Sequence, residues 1–188
     1  HTIVVPDAFG GAEHVIDVLD ESSSQFADRL RKVFKERRKW ARREGVSCYR
    51  VYDADLPGYA AAIDLYAGAG EDEGRTFVHV AEYAAPSSVD ETKARHRMSD
   101  ILAIVPVVLG APPELVFSKT RRRDRGGSQY RDAGERSFVA TVEEGGSLFE
   151  VDFAQYVDTG IFLDHRDTRR MVGEMAAGGD FLNLFAYT

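Results

Sequence analysis

One cysteine in 188 residues excludes an internal disulfide and suits a reducing compartment. That residue, Cys48, lies in the strand-like run Cys48-Tyr49-Arg50-Val51-Tyr52, where a buried structural thiol is expected rather than a nucleophile. Long apolar runs are missing too. The longest, Ile101 to Leu109, falls well short of the roughly 20 residues that a membrane-crossing helix needs. No basic stretch followed by an apolar one opens the chain, so no secretory signal is read. The expected location is the cytoplasm, with no membrane contact. His14, His79, His96 and His165 stand at no metal-ligand spacing from one another or from Cys48, so no metal is expected. No Ser/His/Asp or Cys/His constellation pairs a nucleophile with a base, and no catalytic residue is assigned.

What is present is a globular composition, 44% hydrophobic and 29% charged, with an uneven spread of charge. The net charge of −7 taken alone argues against nucleic acid. Its distribution argues the other way. Residues 1–25 carry Asp7, Glu13, Asp17, Asp20 and Glu21 with no Lys or Arg, and residues 1–23 read as an acidic, partly disordered linker. Residues 26–45 carry nine basic residues against three acidic ones, a net of +6. Residues 121–131 carry five arginines against one aspartate, a net of +4. Such basic islands, not total charge, make the electrostatic footprint of a nucleic-acid binder.

The pattern predicts a helix over 25–44, N-capped from Ser22-Ser23-Ser24 and stopped at Gly45. Phe26, Leu30, Val33, Phe34, Trp40 and Ala41 make its apolar face. Strands are predicted over 47–52, 60–66 and 76–83, the last two as a hairpin around a polar turn at 68–74. Asp53 and Asp55 are read as turn residues bonding the backbone before Pro57, not as a catalytic pair. Ser88-Val89-Asp90-Glu91 has capping-box spacing for a helix that stops at Gly110, with Pro106 distorting its last turn. A strand over 115–120, a hairpin of 138–142 with 148–153, a helix over 164–177 and a terminal strand complete the order. The fold class expected is an α+β module, strands with packed helices, followed by the first helix and strand of a Rossmann-like α/β domain.

Several ordered segments carry a more specific signal. They are Arg29-Leu30-Arg31-Lys32, Lys39-Trp40-Ala41-Arg42-Arg43-Glu44-Gly45 and Cys48-Tyr49-Arg50-Val51-Tyr52-Asp53-Ala54-Asp55-Leu56-Pro57. Ala85-Pro86 with Val89-Asp90 and Lys93-Ala94-Arg95, then Lys119-Thr120-Arg121 with Gln129-Tyr130, follow. Tyr156 to Arg166 and Asp180 to Thr188 complete the set. In this order they resemble the N7-guanine-methylating, C-terminal half of the bacterial bifunctional 23S rRNA methyltransferases, over most of residues 26–188. The 68–74 turn looks longer than in that family, and the 121–127 loop is richer in arginine.

The resemblance implies a class I S-adenosylmethionine (SAM) methyltransferase. It divides the chain into an acidic linker (1–23), an RNA-engaging module (24–155) and the start of the SAM-binding domain (156–188). It implies SAM as cofactor and 23S rRNA as partner. Phe162, Asp164 and Arg166 are expected to close over the cofactor's methionine end, although Asp164 also suits a helix N-cap. Asn183, Phe185, Tyr187 and Thr188 are expected to form a wall of the cofactor pocket at the carboxyl end of a strand. Arg31, Lys35, Arg38 and Arg42 of the basic helix, with Arg121, Arg122, Arg123, Arg125, Gln129 and Tyr130 of the arginine-rich loop, are the expected RNA contacts. A solvated charged face is the competing reading for each. The chain opens on His1 and ends before a glycine-rich turn, so it is expected to be a piece of a longer enzyme, inactive alone and weak or silent toward SAM. The terminal strand is expected to dock on its own module or to self-associate. A fragment of an rRNA cytosine-C5 methyltransferase, a non-catalytic RNA-binding module and a protein-interaction scaffold remain as alternatives. The modified nucleotide, the catalytic residues, the presence of an upstream half and the oligomeric state stay open.

Overall fold

The computed structural model describes residues 1–83, 90–121, 137–154 and 158–182, with 120 and 121 as backbone. The chain opens with strands β1 (Thr2–Pro6) and β2 (Glu13–Asp17), paired antiparallel. Next come helix α1 (Ser23–Glu44) and strands β3 (Cys48–Asp53), β4 (Ala61–Ala67) and β5 (Thr76–Tyr83). Helix α2 (Glu91–Leu109) leads to β6 (Val116–Arg121). Strands β7 (Val139–Glu144) and β8 (Ser147–Asp152) precede helix α3 (Arg166–Met175).

Strands β3-β4-β5-β6 form one sheet in that order. The first two pairings are antiparallel; β5 and β6, joined through α2, run parallel. Side-chain alternation along each strand gives the sheet two apolar faces. Tyr49, Val51, Ile63, Leu65, Val78 and Val80 pack against α1 and α2. Cys48, Tyr66, Phe77 and Phe117 pack against the β7–β8 hairpin, where Phe153 stacks between Phe77 and Phe117. The central strand β4 is therefore buried on both sides for most of its length. Fully burying side chains of this size is worth about 2–3 kcal/mol each.

Five expectations about local structure need correction. Residues 1–23 are not a loose acidic linker: Val5, Ala8 and Val18 are buried, and the β1–β2 hairpin packs on α1 and α2. The acidic residues obscured an alternation in which Ile3 and Val5 turn inward. Phe9, in the hairpin loop, lies edge-on to Phe34 with the Arg38 guanidinium above it. Phe9 also covers Gly110, where a β-carbon would come within 2.6 Å of its ring; Gly110 itself ends α2 at φ +65°. A side chain at 110 would be strained by the backbone and would displace the Phe9 ring.

The start of α1 is not capped by a serine hydroxyl. Instead Ser23 Oγ donates to Asp100 Oδ2 at 2.6 Å, while the backbone N–H groups of Leu19 and Asp20 donate to the same carboxylate. Asp90, not Ser88, caps α2, accepting from Lys93 N at 2.8 Å. Ser88 lies outside the described residues. Asp53 and Asp55 bond side chains rather than backbone: Asp53 accepts from Tyr83 Oη and Arg50, and Asp55 from Arg29.

The 68–74 turn locks the hairpin to the sheet. Asp72 Oδ2 accepts from Thr141 N, and Ala69 N donates to Thr141 O. Gly68 sits so close to the Asp72 carbonyl that a β-carbon would approach to 2.1 Å. The predicted helix over 164–177 is shorter and begins as a 3-10 turn, Leu163–His165, before α3. The terminal strand lies outside the described residues except for Phe181 and Leu182, which are exposed and in neither helix nor strand.

Candidate functional site

Strand β3 is an edge of the sheet, and a groove of about 1240 Å³ follows it. One wall is α1, through Arg29, Val33, Glu36, Arg37 and Trp40. This spacing places them along one flank of the helix. The opposite wall is the segment from Asp158 to Arg166. The floor includes Arg50, Asp64 and His79 of the sheet, with Glu150 and Asp152 from β8.

The 158–166 wall is held at three points. Thr159 Oγ1 shares a buried hydrogen bond with Tyr66 Oη at 2.9 Å, and Thr159 O accepts from Asp152 N. Burial holds the Tyr66 hydroxyl well above the usual tyrosine range. Ile161 enters the hairpin-side core. From α3, Arg169 makes a two-pronged pair with the buried carboxylate of Glu144, at 2.7 and 2.9 Å. The same guanidinium donates to Phe162 O at 2.7 Å. One arginine thus ties the tip of β7, the 3-10 turn and α3 together, a geometry that suits a planar fork.

Charge in the groove is mostly negative and partly neutralised from within. Arg50 pairs with Asp64 at 2.8 Å and with Asp53 at 3.3 Å, and the Asp64 bond keeps its guanidinium firmly charged. Arg29 pairs with Asp55 at 2.6 Å. Glu36, Glu150, Asp152, Asp158 and Asp164 add carboxylates against Arg37 and Arg166. Such a lining disfavours a phosphate backbone. It suits a ligand that brings positive charge and a carboxylate of its own.

Phe162, Asp164 and Arg166 all line this groove, so the structure brings these three expected cofactor contacts together. Phe162 and Arg166 are half-buried, and Asp164 is exposed. No side-chain cap is made at either helical start here, so the N-cap reading of Asp164 does not hold. Asn183, Phe185, Tyr187 and Thr188 lie outside the described residues. So do Arg122, Arg123, Arg125, Gln129 and Tyr130. Arg121 closes β6, the sheet edge opposite β3. Three strand spacings, about 14 Å, separate those edges. Arg121 therefore stands on the sheet edge away from the one that borders the groove.

On α1, Lys35 and Arg42 are exposed with Lys32, Lys39 and Arg43. Arg31 is half-buried and lies 3.7 Å from Asp28. Arg38 spends one face on Phe9. The outward cationic stripe is therefore centred on the lysines and Arg42–Arg43. Sequence reading assigned no site role to Trp40, Arg169 or Glu144. Only the long-range pairing of Glu144 with Arg169 reveals the clamp, and no local spacing signals it. Cys48 is buried, and desolvation pushes its thiol up to about 11, as expected of a structural thiol. Among the described residues no His/Cys/Asp/Glu group could hold a metal ion, and no helix is long and apolar enough to cross a membrane.

Comparison with known proteins adds a family. The family model described as S-adenosylmethionine-dependent methyltransferase matches residues 72–188. The chain is 51% identical over 168 residues to "Ribosomal RNA large subunit methyltransferase K/L" of Methylococcus capsulatus, covering 89% of this chain and 22% of that protein. It is 51% identical over 166 residues to the protein of the same name from Allochromatium vinosum, covering 88% and 22%. The chain thus spans about a fifth of the length of these relatives. A solved chain from Streptococcus mutans, proposed to be a SAM-dependent methyltransferase, aligns over 93% of this chain and 42% of its own at 20% identity and a TM-score of 0.46. The family match covers more than half of the chain, including the wall of the groove that carries Phe162, Asp164 and Arg166, and the chain belongs to the S-adenosylmethionine-dependent methyltransferase family.

Proposed function

We propose that the chain is the RNA-engaging part and first cofactor wall of an rRNA large-subunit methyltransferase that modifies guanine N7 in 23S rRNA. The observation that carries this reading is the 51% identity, over nearly the whole chain, to proteins named for large-subunit rRNA methylation. Two structural features support it. The groove carries a donor set matched to the methionine end of SAM: carboxylates for its cationic groups and Arg166 for its carboxylate. The stripe Lys32, Lys35, Lys39, Arg42 and Arg43 faces solvent, outside the groove, where a phosphate backbone can reach it.

SAM supplies a methyl group already activated on sulfonium. Guanine N7 presents a lone pair in the plane of the ring and needs no general base. The task left to these residues is to bind and orient. Phe162, Asp164 and Arg166 grip the cofactor's amino-acid end, and Asn183, Phe185, Tyr187 and Thr188 extend the wall. Arg31, Lys35, Arg38 and Arg42 meet phosphates. Arg121, Arg122, Arg123 and Arg125, with Gln129 and Tyr130, meet an unpaired stretch of the RNA. On this reading residues 24–155 are the recognition module, with the N-terminal hairpin packed on it, and the catalytic domain starts near residue 156. The isolated chain then methylates nothing and binds SAM weakly; tight SAM binding by calorimetry overturns that part.

The test of the function is binding of this chain to a short 23S rRNA hairpin and to a scrambled hairpin, across a range of salt. Selective, salt-sensitive binding that is lost on Arg121→Ala/Arg122→Ala/Arg123→Ala is expected. Equal binding to both hairpins, or none at low salt, refutes the recognition role.

A further inference from the structure

The tryptophan of this chain stands where the basic helix meets the cofactor-side wall of the groove. Trp40 projects from α1 and is only half-buried. Tyr49 meets it edge-on, with ring centroids 6.2 Å apart at 82°. The Arg166 guanidinium carbon lies 5.3 Å from the indole centroid. Both residues line the groove. Among the described residues no carboxylate lies within ion-pair distance of Arg166, whereas Arg29 and Arg50 in the same groove are held by aspartates.

A guanidinium packed over an aromatic ring uses its π face. Its N–H donors point outward in the plane and remain available. The cation–π contact therefore restrains the guanidinium without consuming its N–H donors, which an ion pair would do. The backbone of Arg166 is fixed as well, because Arg169, three residues on, clamps α3 to Glu144 and to Phe162 O. Main chain and side chain are thus restrained from opposite sides of the groove.

We propose that Trp40 is a positioning residue. It holds the Arg166 guanidinium edge-on to the groove, so that the fork takes the carboxylate of an amino-acid-bearing ligand two-pronged. This rests on the cofactor reading above, where that carboxylate belongs to the methionine end of SAM. A flexible arginine would pay rotamer entropy on each binding event; a stacked one has less to lose.

The test uses the full-length protein with two ligands: S-adenosylhomocysteine, which has the amino-acid end, and methylthioadenosine, which lacks it. Trp40→Ala should weaken S-adenosylhomocysteine about tenfold and leave methylthioadenosine unchanged. Trp40→Phe should restore most of the loss. Arg166→Ala should reproduce the Trp40→Ala pattern, and the double variant should be no weaker than Arg166→Ala alone. In the 188-residue chain, where Trp40 is the single tryptophan, Arg166→Ala should change the emission with the fold retained by circular dichroism. Equal loss for both ligands makes Trp40 merely structural and overturns the proposal. Unchanged affinity in Trp40→Ala, with a binding wild type, overturns it too. A wild type that binds neither ligand refutes the cofactor reading itself, and the inference falls with it.

Discussion

At Asp100 a single carboxylate, 2% exposed, accepts from Leu19 N, Asp20 N and Ser23 Oγ. It ties the segment leading into α1, and the side chain of the helix's first residue, to another helix. Asp100→Ala removes the acceptor of all three, two of them part-buried backbone N–H groups, and should cost about 2 kcal/mol in urea unfolding. Asp100→Asn should recover only part, since its amide places donors against donors. Cys48 gives a second test at the same scale. Its thiol, pushed up to about 11 by burial, should resist alkylation at pH 8 in the native chain and react at once in denaturant. The sign follows from that direction. The thiol form is favoured in the fold, so its contribution is full below the ordinary cysteine range and is lost as pH climbs through about 11.

Helix α1 serves two surfaces, and the two can be separated by mutation. Lys35→Ala/Lys39→Ala/Arg42→Ala changes exposed positions only, so stability should stay within about 0.5 kcal/mol. RNA affinity and its salt slope should both fall, the slope by about one unit for each phosphate that is no longer neutralised. On the other wall, Arg169→Ala leaves the Glu144 carboxylate buried without its partner and should cost about 3 kcal/mol. Hydrogen exchange should then quicken across 158–175 before it quickens in β4. The elements themselves were largely readable. Strands β3, β4 and β5 read as short, largely apolar runs because both sheet faces are packed, and α1 and α2 end at glycines. The β1–β2 hairpin was not readable, because Glu13, Asp17 and the residues that follow gave the segment the composition of a linker. The groove was legible only in part. Phe162, Asp164 and Arg166 came from resemblance to a family. Trp40 and the Arg169–Glu144 clamp depend on contacts between distant parts of the chain, which no local period encodes.

For the molecule as a whole, the acid limb of stability is set where the helices meet the hairpin. Asp20 is held at about 2 by its bonds to Ser22, with Arg97 beside it. The Asp7 carboxylate is also lowered, by the backbone N–H groups of Gly10, Gly11 and Phe9. Depressed carboxylates stabilise the fold above the ordinary aspartate range and lose that contribution as pH falls toward 2. Thermal midpoints should therefore fall steeply between pH 4 and pH 2, and Asp20→Asn should flatten that descent. The far end of the molecule points to association. Met171, Met175, Phe181 and Leu182 are all exposed, and α3 buries no side chain. We propose that copies of the isolated chain pair through this apolar surface. Sedimentation should show a concentration-dependent dimer that Met175→Lys/Leu182→Lys disperses; a monomer at high concentration rules it out.

The carboxylate at position 100 also imposes a schedule on synthesis. The groups it secures, at 19, 20 and 23, are made some 80 residues earlier. At about 5–20 residues per second, they wait about 4–16 s for their acceptor to be translated. During that interval Leu19 and Asp20 keep their N–H groups on water, and the lead-in to α1 lacks its tie to α2. The β1–β2 hairpin and α1 are thus made before α2 and fastened only after it, so a pause in translation between them prolongs the exposure of Phe26 and Leu30.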